Sequence, residues 1–274
     1  MISGATAVAG VIGDPVRHSL SPILHNTAYT ALGIDLVYVA FPVPDGATAA
    51  ALEAARALQL VGLSVTMPHK TAAAAGCDEL TPEAAALESV NTVTRRADGT
   101  LSGASTDGAG FLASVREAGH DLAGRAVLLL GAGGAARAVA HALGHAGAHV
   151  TVAARRADAA DRAARLGRGS TVAWDDRVEA AVRSDVVVNA TPVGMSNAAL
   201  VLPEAGLRPG QVVVDLVYHP LDTPLLCAAR ERGAATVDGL GMLVHQAGLQ
   251  VRAWTGRDAP TDAMRAAAEA ALAD

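Results

Sequence analysis

Lysine is almost missing from this chain. Lys70 is the single lysine among 21 basic residues in 274, and the other 20 are arginine. Large rings are scarce as well, with two Trp, three Tyr and two Phe. The core therefore has to come from alanine-rich helices packed on a β-branched sheet. At 51% hydrophobic residues the chain still has ample material to bury, which excludes a disordered segment. The two cysteines, Cys77 and Cys227, lie far apart and read as free thiols, which excludes a disulfide framework. Basic residues form no cluster and the net charge is −6, so no nucleic-acid partner is expected. No apolar run is long enough to span a membrane. The N-terminal run GATAVAGVIG ends in a GDP turn, and the first basic residue, Arg17, follows it. It reads as a first buried strand, and a cytoplasmic location with no membrane partner is expected.

What is present is alternation. VAGVIG, LVYVAFPV and VGLSVTM read as strands. Between them, SPILHNTAYTALG and TAAALEAARAL read as helices, the first capped by Ser21, opened by Pro22 and stopped by Gly33. VNTVTRR and TLSGAS flank Ala97-Asp98-Gly99 as a hairpin, and GAGFLASVREAG is a helix. A second series repeats the alternation. Its strands are RAVLLLG, AHVTVAA, DVVVNATP and QVVVDLVY, and its first helices are GGAARAVAHALGHAG and ADAADRAARLG. GMLVHQAGLQVRAW and PTDAMRAAAEAALA close the chain as helices. Repeated strand–helix units mean an α/β fold with mostly parallel sheets. The best boundary between the two series lies near residue 105.

The strand AVLLL runs into GAGGAARA and then a helix. Gly131, Gly133 and Ala136 fit the G-x-G-x-x-G/A pattern in its strand–turn–helix setting. The glycines allow a tight turn and close approach of backbone N–H groups to a pyrophosphate at the helix start. An NAD-binding unit usually places an acid about 20 residues on, for the ribose 2′-hydroxyl. No acid lies between Arg125 and Ala157 here, and Arg155 and Arg156 occupy that place. Guanidinium groups suit a 2′-phosphate, so the expected cofactor is NADP(H). The bland alternative is two solvated arginines at a helix start, with Asp158 nearby.

SVTMPHK follows a strand, and Met67-Pro68 stops that strand, so Thr66 and Lys70 are expected to face a crevice at the carboxyl edge. Lysine can give up a proton where arginine cannot. Composition alone leaves two readings of Lys70 open, a proton donor or one stray surface lysine. Asp107, in GASTDGAGF, has an equally plain reading as a helix N-cap. Ser19 and Ser21, in HSLSP, could cap a helix or bind a carboxylate at its start. His18, His25, His69 and His219 do not share one helix face as metal ligands, and no metal is expected.

Eight segments in order, GDPVRHSLSPILHN, SVTMPHK, SVNTV, STDGAGF, GAGGAARA, NATPVGM, DLVYHPLDTPLL and GLGMLVHQA, resemble the shikimate/quinate dehydrogenase family. They run from Gly13 to Ala247. The resemblance implies two α/β domains. One is a mostly parallel substrate domain of residues 1–104 completed by C-terminal helices, 241–274. The other is a Rossmann-like NADP domain over 105–240. It implies reversible NADPH-dependent reduction of 3-dehydroshikimate to shikimate, on the way to chorismate and the aromatic amino acids.

Carried over by position, Lys70 and Asp107 are the catalytic pair. Ser19 and Ser21 hold the substrate carboxylate, and Ser64, Thr66, Asn91, Tyr218 and Gln246 contact the rest of the substrate. Gly131, Ala132, Gly133, Gly134, Ala135, Arg155 and Arg156 hold the dinucleotide, with Thr191, Val217, Gly241 and Met242 near the nicotinamide. Ser64 and Ser105 stand where the family often has Asn, Ala154 replaces the Asn of an Asn–Arg pair, and His219 replaces an Asn before proline. A quinate or aminoshikimate dehydrogenase on the same fold is the nearest rival, and a non-catalytic NADP-binding sensor is a rival of another class. The expected partner is a small-molecule substrate, and the expected assembly a monomer or homodimer.

Overall fold

The structure, a computed structural model, describes residues 2–195 and 197–273. Its backbone contacts divide the chain into two compact units, Met1–Thr106 with Gln246–Asp274, and Asp107–His245.

The first unit begins with β1 (Ala7–Gly13), α1 (Ser21–Leu32), β2 (Leu36–Pro42), α2 (Thr48–Ala57), β3 (Gly62–Val65) and α3 (Lys70–Gly76). It continues with β4 (Glu79–Leu80), α4 (Pro82–Leu87), β5 (Thr92–Arg95) and β6 (Leu101–Ala104). The sheet order is β2-β1-β3-β5-β6-β4. Only β5 runs against its neighbours. The turn expected at Asp98-Gly99 joins β5 to β6 and makes the reversal between them. Gly99 has φ 89°, and Asp98 Oδ1 accepts from the Thr100 N–H at 3.0 Å and from its hydroxyl at 2.7 Å. Ile12, Leu63, Val65 and Val93 pack on one face against Leu52 and Ala55 of α2 and Ala73 of α3.

The second unit holds α5 (Asp107–Glu117), β7 (Ala126–Leu130), α6 (Gly134–His145), β8 (His149–Ala153), α7 (Ala157–Leu166) and β9 (Ser170–Val172). Then come α8 (Arg177–Val182), β10 (Val186–Asn189), β11 (Val212–Asp215), α9 (Pro224–Glu231) and β12 (Ala235–Val237). All pairings are parallel, in the order β12-β11-β10-β7-β8-β9. The unbroken apolar runs follow from this burial. In β7, Val127 and Leu129 face a core shared with Phe111, Val139 and Leu143 of α5 and α6, while Leu128 and Leu130 face Ala181 and Leu226 of α8 and α9. The chain crosses back to the first unit within α10 (Gly239–Thr255) and ends in α11 (Thr261–Ala273).

The structure changes three local expectations. Ser21 is not the cap of α1 but its first residue. Leu20 holds the cap position without a side-chain bond, and the Ser19 hydroxyl accepts from the Ser21 N–H at 3.2 Å. Pro22 and Gly33, at φ 65°, open and end the helix as expected. Asp107 is likewise the first residue of α5. The strand in SVTMPHK ends at Val65, and Lys70 opens a short helix that hydrophobic spacing did not reveal.

On the other face of the first sheet, His25 is fully buried and stacks on Tyr38, ring centroids 4.0 Å apart, with Trp254 at 5.4 Å. Its Nδ1–H donates to Ser21 O at 2.9 Å. Burial lowers its pKa from 6.5 to about 4. The unfolded chain therefore takes up a proton at a pH where the folded chain does not. The stability His25 provides is whole above pH 6.5 and is lost as pH falls toward 4. The expected outcome is that wild type loses up to about 1.4 kcal/mol per pH unit across this window relative to His25→Phe. Denaturant unfolding of both proteins between these limits checks it.

Candidate active site

Sheet geometry brings the expected substrate residues of the first unit to one edge. β1, β3 and β6 end there, and β5, being reversed, begins there. Ser64 lies opposite Thr92 in the ladder, and the Val65 N–H donates to Asn91 O at 2.8 Å. The Asn91 N–H donates to Ala104 O at 3.1 Å, and the Val90 N–H to Lys70 O at 3.0 Å. The Thr66 N–H reaches Ile12 O at 3.0 Å, and the Asp14 N–H ties the loop after β1 to Met67 O at 3.0 Å. Thr66, Lys70 and Asn91 are thus adjacent at the carboxyl edge, next to the loop that carries Ser19.

Lys70 is half-buried, not a stray surface lysine. The residue before it was missed as a structural element. His69 is buried, its Nε2–H donating to Val43 O at 2.8 Å and its Nδ1 bonded to Thr48 Oγ1 at 2.8 Å. This ring pins the turn that presents Lys70. Asn91 is oriented as tightly: its Oδ1 accepts from the Thr106 N–H at 2.8 Å and the Thr92 hydroxyl at 2.7 Å. Ser21, Ser64, Ser105 and Gln246 are all buried.

In the second unit the strand order reverses direction at β7 and β10, which makes a crevice at their carboxyl ends. Gly131 leaves β7 with φ 110°, and a Cβ on it would lie 2.9 Å from Ala190 O. Only glycine fits. Gly133 and Gly134 open α6, and a Cβ on either would meet nothing within 4 Å. Flanked by Ala132 and Ala135, they leave a cradle open to a phosphate beside the N–H groups of a 12-residue helix. Ala136 is fully buried against the sheet. Arg155 and Arg156 are exposed just past β8, and Asp158 is held by Arg162 at 2.9 Å, one turn away on α7. The donor set fits a dinucleotide phosphate.

Two residues that close apolar strands were also missed. Asn189 ends VVVN and Asp215 ends VVVD, side by side in the ladder. Asn189 Nδ2 donates to Asp215 Oδ1 at 2.9 Å, and Asn189 Oδ1 accepts from the Thr191 N–H and hydroxyl at 3.0 and 2.7 Å. Asp215 also accepts from the Val217 N–H at 3.1 Å and from the Thr223 hydroxyl at 2.7 Å, the latter at the start of α9. Burial, opposed by these bonds, raises the Asp215 pKa. The pair fixes the loops that carry Thr191 and Val217. Tyr218 follows, half-buried, its phenol pKa also pushed up by burial. The Gly241 N–H is capped by Asp238 Oδ1 at 3.1 Å, and Met242 packs in the core beside β7. Among the described residues, no group of three or more His, Cys, Asp or Glu is placed to hold a metal ion, and no helix is long and apolar enough to cross a membrane.

Comparison with known proteins bears on all of this. Residues 11–93 match the shikimate dehydrogenase substrate binding domain, and 239–269 the shikimate 5′-dehydrogenase C-terminal domain. Residues 126–219 match the family of coenzyme F420-dependent NADP oxidoreductases. The NADP(+) shikimate dehydrogenase of Moorella thermoacetica is 44% identical over 96% of this chain and 92% of its own. The chain belongs to the shikimate dehydrogenase family. Among solved structures, the shikimate 5-dehydrogenase of Thermus thermophilus in complex with NADP(H) and shikimate is 38% identical with a TM-score of 0.90, covering 97% of this chain and 99% of that one. A quinate dehydrogenase from Corynebacterium glutamicum in complex with NAD is 31% identical with a TM-score of 0.91, at coverages of 97% and 99%. The two-domain α/β architecture is that of shikimate dehydrogenases, with a substrate-binding N-terminal domain and a Rossmann-like NADP domain.

Asp215→Ala removes the acceptor of three buried donors. It is expected to cost at least about 1–3 kcal/mol of unfolding free energy, and Asp215→Asn, which keeps one acceptor oxygen, less. Urea unfolding of the three proteins gives the order.

Proposed function

We propose that the protein catalyses the reversible NADPH-dependent reduction of 3-dehydroshikimate to shikimate, on the route to chorismate and the aromatic amino acids. The observation that carries this reading is the edge cluster of Thr66, Lys70 and Asn91 beside the loop that carries Ser19, in a chain related to NADP(+) shikimate dehydrogenases over 96% of its length.

NADPH, when bound, supplies the hydride. The backbone of Gly131, Ala132, Gly133, Gly134 and Ala135 receives its phosphates. Arg155 and Arg156 pair with the 2′-phosphate, and Thr191, Val217, Gly241 and Met242 frame the nicotinamide end. Ser19 and Ser21 bind the substrate carboxylate. Thr66, Asn91, Tyr218 and Gln246 bind its ring, and Ser64 accepts from a ring hydroxyl. As charge develops on the C3 oxygen, Lys70 Nζ gives it a proton, and Asp107 orients the substrate hydroxyl and helps return the proton. Two free thiols, Cys77 and Cys227, suit a reducing compartment and support action in the cytoplasm, as a monomer or homodimer.

Two measurements test the proposal. Initial rates followed by NADPH absorbance, with shikimate or quinate and with NADP or NAD, should show the highest kcat/KM for shikimate with NADP. Preference for quinate would move the chain to the quinate branch, and preference for NAD would remove the role of the two arginines. Lys70→Ala should lower kcat by about 10²–10⁴-fold with little change in KM, the usual worth of general acid–base help. Lys70→Arg should be nearly as poor, and wild-type kcat in that variant would mean that charge alone suffices.

A further inference from the structure

A buried chain of hydrogen bonds lies beneath the substrate edge of the first unit, and no role in the reaction accounts for two of its members. The Tyr38 hydroxyl donates to Ser64 Oγ at 2.6 Å, and Ser64 Oγ donates to Gln250 Oε1 at 2.8 Å. Gln250 Nε2 donates to Thr92 Oγ1 at 3.1 Å and to Asn91 O at 3.3 Å. The Thr92 hydroxyl donates onward to Asn91 Oδ1 at 2.7 Å. Tyr38 and Gln250 are each only 1% exposed.

The direction of every bond is determined. Burial pushes the Tyr38 phenol pKa well up, so it remains a donor at any working pH. An amide oxygen can only accept, so the one Ser64 proton goes to Gln250. Ser64 is then an acceptor toward anything else that reaches it, and meets a hydroxyl but not a carbonyl or carboxylate oxygen. At the other end, the Thr92 proton holds the Asn91 carboxamide with its oxygen turned inward. Gln250 on α10 thus reaches Ser64 directly and the Asn91 carboxamide through Thr92, and Tyr38 on β2 reaches Ser64 directly; Ser64 and Asn91 are two residues that the substrate reading places on the ring.

A buried polar chain costs desolvation that an apolar side chain at position 250 would avoid, and its return is a single fixed geometry. We propose that Gln250, with Tyr38 at the far end of the same chain, is a positioning residue for substrate: it sets the polarity of Ser64 and the orientation of Asn91. The proposal rests on the function proposed above and adds two residues that touch neither substrate nor cofactor.

The test uses the full-length protein with shikimate and NADP. Gln250→Met keeps the volume and removes all three of its bonds. Tyr38→Phe keeps the ring stacked on His25 and removes only the hydroxyl, so it serves if the first variant does not fold. In each, the KM for shikimate should rise about tenfold, which is about 1.4 kcal/mol, with kcat within about threefold and the KM for NADP unchanged. The double variant should lose less than the product of the two singles, because both break one chain. A lowered Tm with an unchanged shikimate KM would make the residues structural only and overturn the proposal. Equal increases in both KM values would overturn it too. No shikimate turnover by wild type would bring down the function itself, an outcome distinct from wild-type turnover with unmoved variants.

Discussion

A polar side chain buried at the end of an apolar strand must find hydrogen-bond partners, because leaving it unpaired costs more than the bond is worth in water. Both units are organised around that requirement. In the first, Ser64 near the end of β3 is bonded to Tyr38 and Gln250, and Asn91 at the start of β5 is bonded to Thr92 and Thr106. In the second, Asn189 and Asp215 close neighbouring strands, bond each other, and capture Thr191, Val217 and Thr223. Ser64, Asn189 and Asp215 are delivered by strands and Asn91 stands just ahead of β5, all at the carboxyl edge of their sheets, and the loops there must conform to them.

The reversed strand is the other organising device. A parallel β5 would begin at the opposite edge of the sheet and carry Asn91 away from Thr66 and Lys70. Antiparallel to β3, β5 starts where β3 stops, and the tight turn at Asp98-Gly99 then brings the chain straight back so that β6 ends at the same edge. His69 completes the arrangement. Bonded to Thr48 and Val43, it anchors the turn after Pro68 and leaves Lys70 at the head of a short helix. The one lysine in 21 basic residues thus sits half-buried at that edge, at the place where the proposed function needs a proton donor.

Much of this was legible beforehand, and the failures have local causes. Long apolar strands, the alanine-rich helices, the hairpin and the phosphate loop each carry a period or a turn signal of their own. Short edge strands do not. Ser170–Val172 and Ala235–Val237 are three residues each, and Glu79–Leu80 only two, too short to show alternation. Lys70–Gly76 was hidden because KTAAAAG has almost no amphipathic contrast. Ser21 looked like a cap because the residue type is right, yet the bond at that turn comes from Ser19. Asn189 and Asp215 did leave a trace, a polar residue closing VVV twice over, but a strand terminus alone does not say what the side chain will meet.

The amino-acid sequence by itself determined the class of fold, the alternation of its longer elements, the glycine-rich turn after β7, the two arginines past β8, and the oddity of Lys70. These depend on spacing along the chain, on turn chemistry and on residue type, all of which are local. Only the tertiary structure decided that Asn91 and Lys70 share an edge, that Ser64 has given its proton to a glutamine 186 positions away, and that two strand-end residues hold the loops of the second unit. Those facts depend on which strands become neighbours and on which buried polar groups find each other, and a one-dimensional pattern does not specify a hydrogen-bond partner across such a distance.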